Sequence, residues 1–241
     1  MRWLKQIERC KQYKTGHLLH LKMRLLLLLF LFWSMLSVSA YANRIIYVDD
    51  DAVGANDGTS WQNAYTFLQD ALADAETAEK PVEIRVAQGI YKPDQGVIQT
   101  LGDRTATFQL INSVTLKGGY AGAVEPNTIN IELYETILSG DLSGNDIDVN
   151  NPGNLYDLPG QYDNSEIVVT GSNTNATAVL EGFTITRGYI SVIAYRLGGG
   201  PIGGAGMLIS SGSPTLVDCK FTDNITSNTG GGLLLNDNSN P

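Results

Sequence analysis

The sequence predicts an all-β fold in which short parallel strands form a coil that turns three corners per lap. Two nine-residue stretches, 180–188 and 216–224, share one pattern, with apolar residues at their first, fourth and sixth places. A second pattern, glycine-rich and then apolar, occupies 204–209 and recurs 26 residues later at 230–235. Units of this length cannot bury their apolar faces alone, so they must stack on their neighbours.

A β-strand beside a corner accounts for the apolar pattern. In the 180–188 unit, Phe183 and Ile185 face the same way because side chains alternate along a strand. Gly182 is the corner that turns Leu180 inward as well, and Asp218 takes that place in the 216–224 unit. Each strand is then expected to pair in parallel with the strand one lap later, at about 4.8 Å.

The first 42 residues have the composition of an export signal. A basic flank precedes an apolar run at 25–38, and Ala-Tyr-Ala at 40–42 is a small-x-small cleavage site. We therefore expect a secreted or cell-surface protein whose mature chain starts at Asn43. An uncleaved signal anchor is the alternative, although a run of 14 residues is short for a membrane span.

Removal of residues 1–42 would leave a strongly acidic chain. That segment holds seven of the 16 Lys and Arg and one of the 25 Asp and Glu, so nine basic and 24 acidic residues remain, a net charge of −15. Such a charge argues against nucleic acid or anionic lipid as partners and is compatible with divalent cations and neutral glycans. Both histidines lie in the segment, which excludes imidazole chemistry from the mature chain.

Cys219 is the single cysteine of the expected mature chain, because Cys10 lies in the signal. No disulfide within that chain is then possible. Its apolar-patterned position predicts a buried small hydrophobe. A reactive thiol is the alternative, with Lys220 as the one basic neighbour to lower its pKa.

One helix is expected before the repeats. Residues 45–48 read as a short strand, and Ser60 is expected to cap a helix from about residue 61 to 78, with alanines and leucines on one face. Residues 82–86 alternate and are β-branched, which predicts a strand. The later strands are predicted at 108–110, 114–116, 136–138, 167–169, 178–180, 183–185, 207–209, 216–221 and 233–235.

Two long stretches interrupt the strands, at about 145–165 and 188–203, and carry tyrosines. We interpret them as loop excursions from the coil. Loops of this length in a repeat array often carry function, and tolerated insertions are the alternative.

Several ordered motifs resemble a known group of proteins. They lie at 47–49 with 57–61, 89–91, 114–122, 136–141, 180–185, and 203–205 with 221–224. Together they resemble secreted right-handed parallel β-helix (solenoid) repeat proteins of the pectin-lyase-like superfold and of the polymorphic outer-membrane type. The resemblance covers residues 43–241 and implies a fold shared by lyases, hydrolases, adhesins and surface proteins.

The resemblance also implies a division of the chain. Residues 1–42 are a basic prefix and signal peptide, 43–80 a strand and a helix that caps the open end of the coil, and 81–241 the β-helix repeats. We expect a reading frame that is truncated at its C-terminus, because the repeat pattern stops in mid-lap at Pro241. The expected start is Met1 or Met23.

The densest group of oxygen ligands is Asp49, Asp50, Asp51 and Asp57. Ca²⁺ prefers six to eight oxygens from such loops, so these four residues are the candidate metal site and Ca²⁺ the candidate cofactor. The spacing matches no defined Ca²⁺ loop, and turn formation alone also explains the run.

Two classes of function follow. The first is a non-catalytic, monomeric surface, adhesion or glycan-binding scaffold, with extracellular polysaccharide or cell-surface ligands as partners. The second is a fragment of a polysaccharide lyase or glycoside hydrolase, in which Asp141, Glu181, Asp218 or Asp223 would converge on one face at carboxylate-pair distances. The sequence favours the first class and assigns no catalytic residue, because turn aspartates are usually solvated.

Overall fold

Short parallel strands make up most of the structure, a computed structural model that describes residues 43–147, 160–191, 203–226, 230–237 and 239–241. Within these ranges there is one α-helix, α1 (Leu68–Thr77), and one 3₁₀ turn, Gln161–Asp163. The strands are β1 (Arg44–Val48), β2 (Val82–Ala87), β3 (Gly89–Tyr91), β4 (Phe108–Gln109), β5 (Val114–Tyr120), β6 (Thr136–Ser139), β7 (Val169–Thr170), β8 (Val179–Glu181), β9 (Thr184–Thr186), β10 (Tyr189–Ile190), β11 (Met207–Ser210), β12 (Thr215–Val217), β13 (Lys220–Thr222), β14 (Ile225–Thr226) and β15 (Leu233–Asn236).

The strands form three larger sheets and one pair in the described part of the chain. Sheet 1 has the order β1-β2-β5-β8-β12, sheet 2 the order β3-β6-β9-β13, and sheet 3 the order β4-β7-β11-β15, while β10 pairs with β14. From β2 onward the chain visits sheets 1, 2 and 3 in that order and then returns to sheet 1. The fold is therefore predominantly β, with parallel sheets, as the sequence predicts.

Large apolar and aromatic residues are register partners on neighbouring strands and form ladders across the sheets. In sheet 1 the ladder runs through Ile46, Ile84, Leu116, Leu180 and Leu216. In sheet 2 it runs through Tyr91, Leu138, Ile185 and Phe221, and in sheet 3 through Phe108, Val169, Met207 and Leu233. The 36-residue offset from Leu180 to Leu216 and the 26-residue offset from Met207 to Leu233 match the two repeats of the sequence.

One hydrophobic cluster joins the inner side chains of the three sheets to the apolar face of α1. The buried helix residues Leu68, Ala71, Leu72 and Ala75 belong to it, and α1 contacts β1 and β2. Packing of this kind supplies most of the free energy that holds a short helix in place.

The predicted corners adopt the left-handed backbone that a sharp bend requires. Gly182 has φ +76° and Asp218 has φ +48°. Glycine adopts this conformation freely, and aspartate tolerates it better than most residues do. As a result the predicted 216–221 strand is divided into β12 and β13, which lie in different sheets.

The helix is shorter than the sequence predicts. Its N-cap is Phe67, which makes no side-chain capping bond, and the Ser60 hydroxyl instead accepts a hydrogen bond from the Asn63 backbone in a turn. Tyr65 is the reason, because its parallel bridge with Val48 takes its backbone out of a helical path before residue 68.

The two predicted excursions lie partly outside the described residues. Residues 148–159 and 192–202 are not described, and the tyrosines at 156 and 195 fall within those ranges. At the described ends, the rings of Tyr162 and Tyr189 meet edge to face at 5.5 Å. Tyr189 belongs to β10, so the second excursion starts later than residue 188.

Candidate functional site

A groove of about 390 Å³ lies where sheets 1 and 2 meet at the Gly182 and Asp218 corners. One wall is formed by these corners and the starts of β9 and β13, and the other by residues 131–135. The lining residues are Ile131, Glu132, Glu135, Gly182, Phe183, Thr184, Asp218 and Lys220. Both repeat units thus contribute to one concave surface.

A turn built on Asn130 holds the 131–135 wall in place. The Asn130 backbone N–H donates to the Gly119 carbonyl at 2.8 Å, and its carbonyl accepts from the Tyr134 backbone N–H at 2.8 Å. The Asn130 side-chain oxygen accepts from the backbone of Glu132 at 3.0 Å. This pattern fixes the position of the wall against β5.

Ile131 packs against glycines, and this close approach sets the shape of the groove. A side-chain carbon placed on Gly119 would lie 2.6 Å from Cγ2 of Ile131, and one placed on Gly182 would lie 2.9 Å from it. A larger residue at either position would push the wall outward.

The rim of the groove is charged and exposed. Glu132, Glu135, Asp218 and Lys220 all face solvent, giving three carboxylates against one ammonium. The Glu135 carboxylate accepts a hydrogen bond from the Thr184 hydroxyl at 2.8 Å. In the described part of the chain no salt bridge holds Lys220. Such groups can accept and donate hydrogen bonds to the hydroxyls of a ligand without first breaking buried pairs.

Of the carboxylates considered for catalysis, Asp218 lines this groove. The Glu181 carboxylate instead pairs with the Lys117 ammonium at 2.8 Å on the outer face of sheet 1, and the bond raises the pKa of Lys117. Asp141 accepts bonds from three backbone N–H groups of the turn that follows it. Asp223 is exposed in a turn at φ +51°.

Two groove residues, Glu132 and Glu135, were not candidates from the sequence. Glu135 reaches Thr184 across 49 residues because β6 pairs with β9. Only the register of the sheet reveals this proximity, and no local motif signals it.

The predicted metal ligands for which bonds are seen have different hydrogen-bond partners. Asp49 is buried, with its carboxylate accepting from the backbone N–H of Asp51 and of Ala123, each at 3.2 Å. Asp49 and Asp51 also line a second pocket of about 200 Å³ beside Trp61.

The other two predicted ligands, Asp50 and Asp57, accept hydrogen bonds from different segments of the chain. The Asp50 carboxylate accepts from the Ile90 backbone at 3.4 Å, and burial raises the pKa of Asp50. The Asp57 carboxylate accepts from the hydroxyl and the backbone N–H of Thr59, which lowers the pKa of Asp57. Among the described residues no group of three or more acidic, histidine or cysteine side chains is arranged to hold a metal ion. The four-aspartate Ca²⁺ site stays a prediction.

Cys219 is a free thiol that packs against the main hydrophobic cluster. Its Sγ lies 3.4 Å from the carbonyl oxygens of Leu180 and Val217. Burial raises the pKa of the Cys219 thiol, which disfavours the reactive thiolate.

Neither family models nor curated proteins nor solved structures include a match to this chain.

Proposed function

We propose that the chain is an exported right-handed parallel β-helix of the pectin-lyase-like and polymorphic outer-membrane repeat type. The repeated visiting order of sheets 1, 2 and 3 supports this, as do the apolar ladders and the left-handed corners. In such a coil, each lap covers the apolar edge of the one before. The capping helix of the proposal is α1, which contacts the edge strand β1.

The Asn224 side chain links two successive repeat units, as the proposed coil requires. Its side-chain nitrogen donates to the Ile185 carbonyl at 2.8 Å, and its side-chain oxygen accepts from the Gly188 backbone at 3.0 Å. The Phe-x-x-Asn motif at 221–224 thus ties one unit to the preceding unit through two bonds. This gives a physical reason for the motif that carries the resemblance.

The proposed function is a non-catalytic surface, adhesion or glycan-binding scaffold, and the groove between the 131–135 wall and the two corners carries it. Exposed carboxylates and an ammonium outside any described salt bridge suit the hydroxyl-rich surface of a sugar, and the exposed edge of Ile131 offers apolar contact. The excess of carboxylates favours a neutral polysaccharide over an anionic one.

Export and cleavage before Asn43 belong to the same proposal. They are supported by the basic flank, apolar run and small-x-small site at the start of the chain. Among the described residues, no helix is both long and apolar enough to cross a membrane.

Affinity electrophoresis through gels containing neutral polysaccharides tests the binding role. We expect the wild-type chain to be retarded by at least one polysaccharide. The double variant Glu135→Gln, Asp218→Asn should bind at least about tenfold more weakly, because each amide keeps an acceptor oxygen but loses the charge, and a hydrogen bond to a charged group is worth about 1 kcal/mol more than a neutral one. Asp103→Asn is the matched control, because Asp103 is an exposed turn aspartate whose partner is Thr105. Equal retardation of the double variant and the wild type would exclude the groove as the polysaccharide-binding site.

The alternative is a fragment of a polysaccharide lyase or glycoside hydrolase, and one observation favours it. Glu132, Glu135 and Asp218 line a single groove, and paired carboxylates are the groups that glycoside hydrolysis uses. A reducing-end and unsaturated-product assay on the polysaccharide that binds separates the two roles. Product formation that disappears in Glu135→Gln would replace the scaffold proposal with the enzyme.

A further inference from the structure

A second group of oxygen ligands lies in residues 141–146 and 160–164, segments well separated in sequence. Two crossed side-chain bonds join them. The Asn164 amide donates to Oδ2 of Asp146 at 2.7 Å, and the Asn145 amide donates to Oδ2 of Asp163 at 3.0 Å. Each carboxylate therefore uses one oxygen to hold the other segment in place.

Four oxygens of this group are buried without partners in the described structure. They are Oδ1 of Asp146, Oδ1 of Asp163, Oδ1 of Asn164 and Oε1 of Gln161. The Asp146 side chain is 3% exposed, Gln161 is 4% exposed and Asn164 is 1% exposed. A buried polar atom without a partner costs about 1–3 kcal/mol, and more when it is charged, so four together need an explanation.

Three oxygens of the group converge beside Gly160. A side-chain carbon placed on Gly160 would lie 2.8 Å from Oδ1 of Asn145 and 2.9 Å from both the Asn145 carbonyl and Oδ1 of Asp146. These three oxygens therefore lie together against the face of Gly160 that carries no side chain. All three are acceptors, and one water molecule has only two protons to donate.

Side chains of both charges surround this group of oxygens. The carboxylates of Asp141 and Asp163 lie near that of Asp146. Among the described residues, Arg187 is the cation paired with Asp146, its guanidinium lying 3.8 Å from Oδ2. The Arg104 guanidinium and the Lys92 ammonium also reach these two segments, donating to the carbonyls of Asn164 at 2.7 Å and of Leu142 at 3.2 Å. These charges largely balance, so the buried oxygens without partners, and not a net charge, indicate a cation.

We propose that the buried oxygens of Asp146, Asp163, Asn164 and Gln161, with the oxygens of Asn145 beside Gly160, form a Ca²⁺ site. Ca²⁺ accepts six to eight carboxylate, amide and carbonyl oxygens in flexible geometry, whereas Mg²⁺ demands a near-ideal octahedron and keeps several waters. The site combines two carboxylates with neutral amide and carbonyl oxygens. It therefore differs from a cluster of three or more acidic side chains, which the described residues do not form. It is separate from the groove and does not depend on glycan binding.

Calorimetric titration of the full chain with CaCl₂ is the first test, with Tb³⁺ luminescence as a second readout. Tyr162 lies between Gln161 and Asp163 and is the expected sensitiser of bound Tb³⁺. We expect one bound Ca²⁺ with a Kd in the range of about 10 μM to 1 mM, and a higher Tm when Ca²⁺ is added. Tyr162→Phe should weaken the sensitised emission and keep its Ca²⁺ affinity.

Two variants that preserve side-chain shape locate the site. Asp146→Asn and Asp163→Asn should each weaken Ca²⁺ binding about tenfold or more, because each removes a charged ligand. Asp50→Asn, in the aspartate-rich loop at 49–57, should bind Ca²⁺ as wild type does. Circular dichroism of each variant verifies folding, and Asp163→Asn, whose residue is less buried, decides the matter if Asp146→Asn does not fold.

Three results would overturn the proposal. One is the absence of Ca²⁺ heat and of Tb³⁺ emission in the wild type at millimolar metal. Another is wild-type affinity in a folded Asp163→Asn variant. The third is loss of Ca²⁺ binding in Asp50→Asn alone, which would assign the metal to the loop at 49–57 instead.

Discussion

Leu180 and Leu216 are register partners on β8 and β12, yet Leu180 is fully buried and Leu216 is only half-buried. The same contrast holds for Ile185 and Phe221. In the described chain, β8 has a strand on each side, whereas β12 is an edge strand of sheet 1. The repeated pattern thus determines which way a side chain faces, and the neighbouring strands determine how far it is buried.

The two units differ also at their corners and ends. The 180–188 unit has Gly182 at its corner and ends in Gly188, where the 216–224 unit has Asp218 and Asn224. Both differences have structural consequences. Asp218 brings a carboxylate to the groove, and Asn224 bonds back to the earlier unit.

Truncating the paired leucines gives the largest expected contrast. Leu180→Ala should lower the free energy of unfolding by about 2–5 kcal/mol, because it leaves a cavity between two strands. Leu216→Ala should cost about 1–2 kcal/mol, because its side chain is already partly exposed to water. Urea denaturation of both variants measures the difference, and equal losses would show that the second unit is as enclosed as the first.

Removal of the side-chain tie between the units comes next. Asn224→Ala deletes both the donor to the Ile185 carbonyl and the acceptor for the Gly188 N–H, so it should cost about 1–3 kcal/mol. Gly188→Ala probes the equivalent place in the other unit, where an added carbon would lie 2.0 Å from the Ala205 carbonyl oxygen. Denaturation curves of Asn224→Ala that overlay those of the wild type would show that the tie contributes nothing to stability.

The corners should respond unequally to substitution. Gly182→Ala should cost about 1–2 kcal/mol, because its backbone is left-handed and the new methyl would press on Ile131. Asp218→Gly should change the free energy of unfolding by less than about 1 kcal/mol, since glycine adopts this conformation freely. Thermal or urea unfolding checks both, and a large loss in Asp218→Gly would assign the aspartate a structural role.

The smallest effect concerns Cys219, which takes the place of Phe183. In a chain carrying Cys10→Ser, Cys219 should react with a disulfide reagent about tenfold or more slowly when folded than in urea, because burial raises the pKa of its thiol. Its contribution to folding is complete below the unfolded thiol pKa of about 8.5 and is lost as pH rises through the higher folded value. Fast reaction of the folded chain at neutral pH would contradict a core position.

Structural features that repeat along the chain could be predicted from the sequence. Features that depend on contacts between residues far apart in the sequence could not. The offsets that pair Leu180 with Leu216 and Met207 with Leu233 are visible as repeated patterns, and so is the corner at Gly182. The early helix was predicted too long, because helical periodicity does not reveal the bridge between Tyr65 and Val48.

The sites were harder to predict than the fold. Adjacent aspartates at 49–51 suggest a metal site, yet each carboxylate for which a bond is seen is taken up by a nearby backbone N–H group. Asp146 and Asp163 are 17 residues apart in sequence and come together only through their crossed bonds to Asn164 and Asn145. A high density of acidic residues along the sequence therefore does not predict that their carboxylates meet in space.

A crystal structure of the chain with a bound neutral oligosaccharide is the decisive measurement for the scaffold proposal. We expect an intact sugar between the 131–135 wall and the corners, with its hydroxyls bonded to Glu135, Asp218 and Lys220. A sugar seated instead in the pocket beside Trp61 would contradict the assignment of binding to the groove, and a cleaved sugar in the groove would contradict the non-catalytic role.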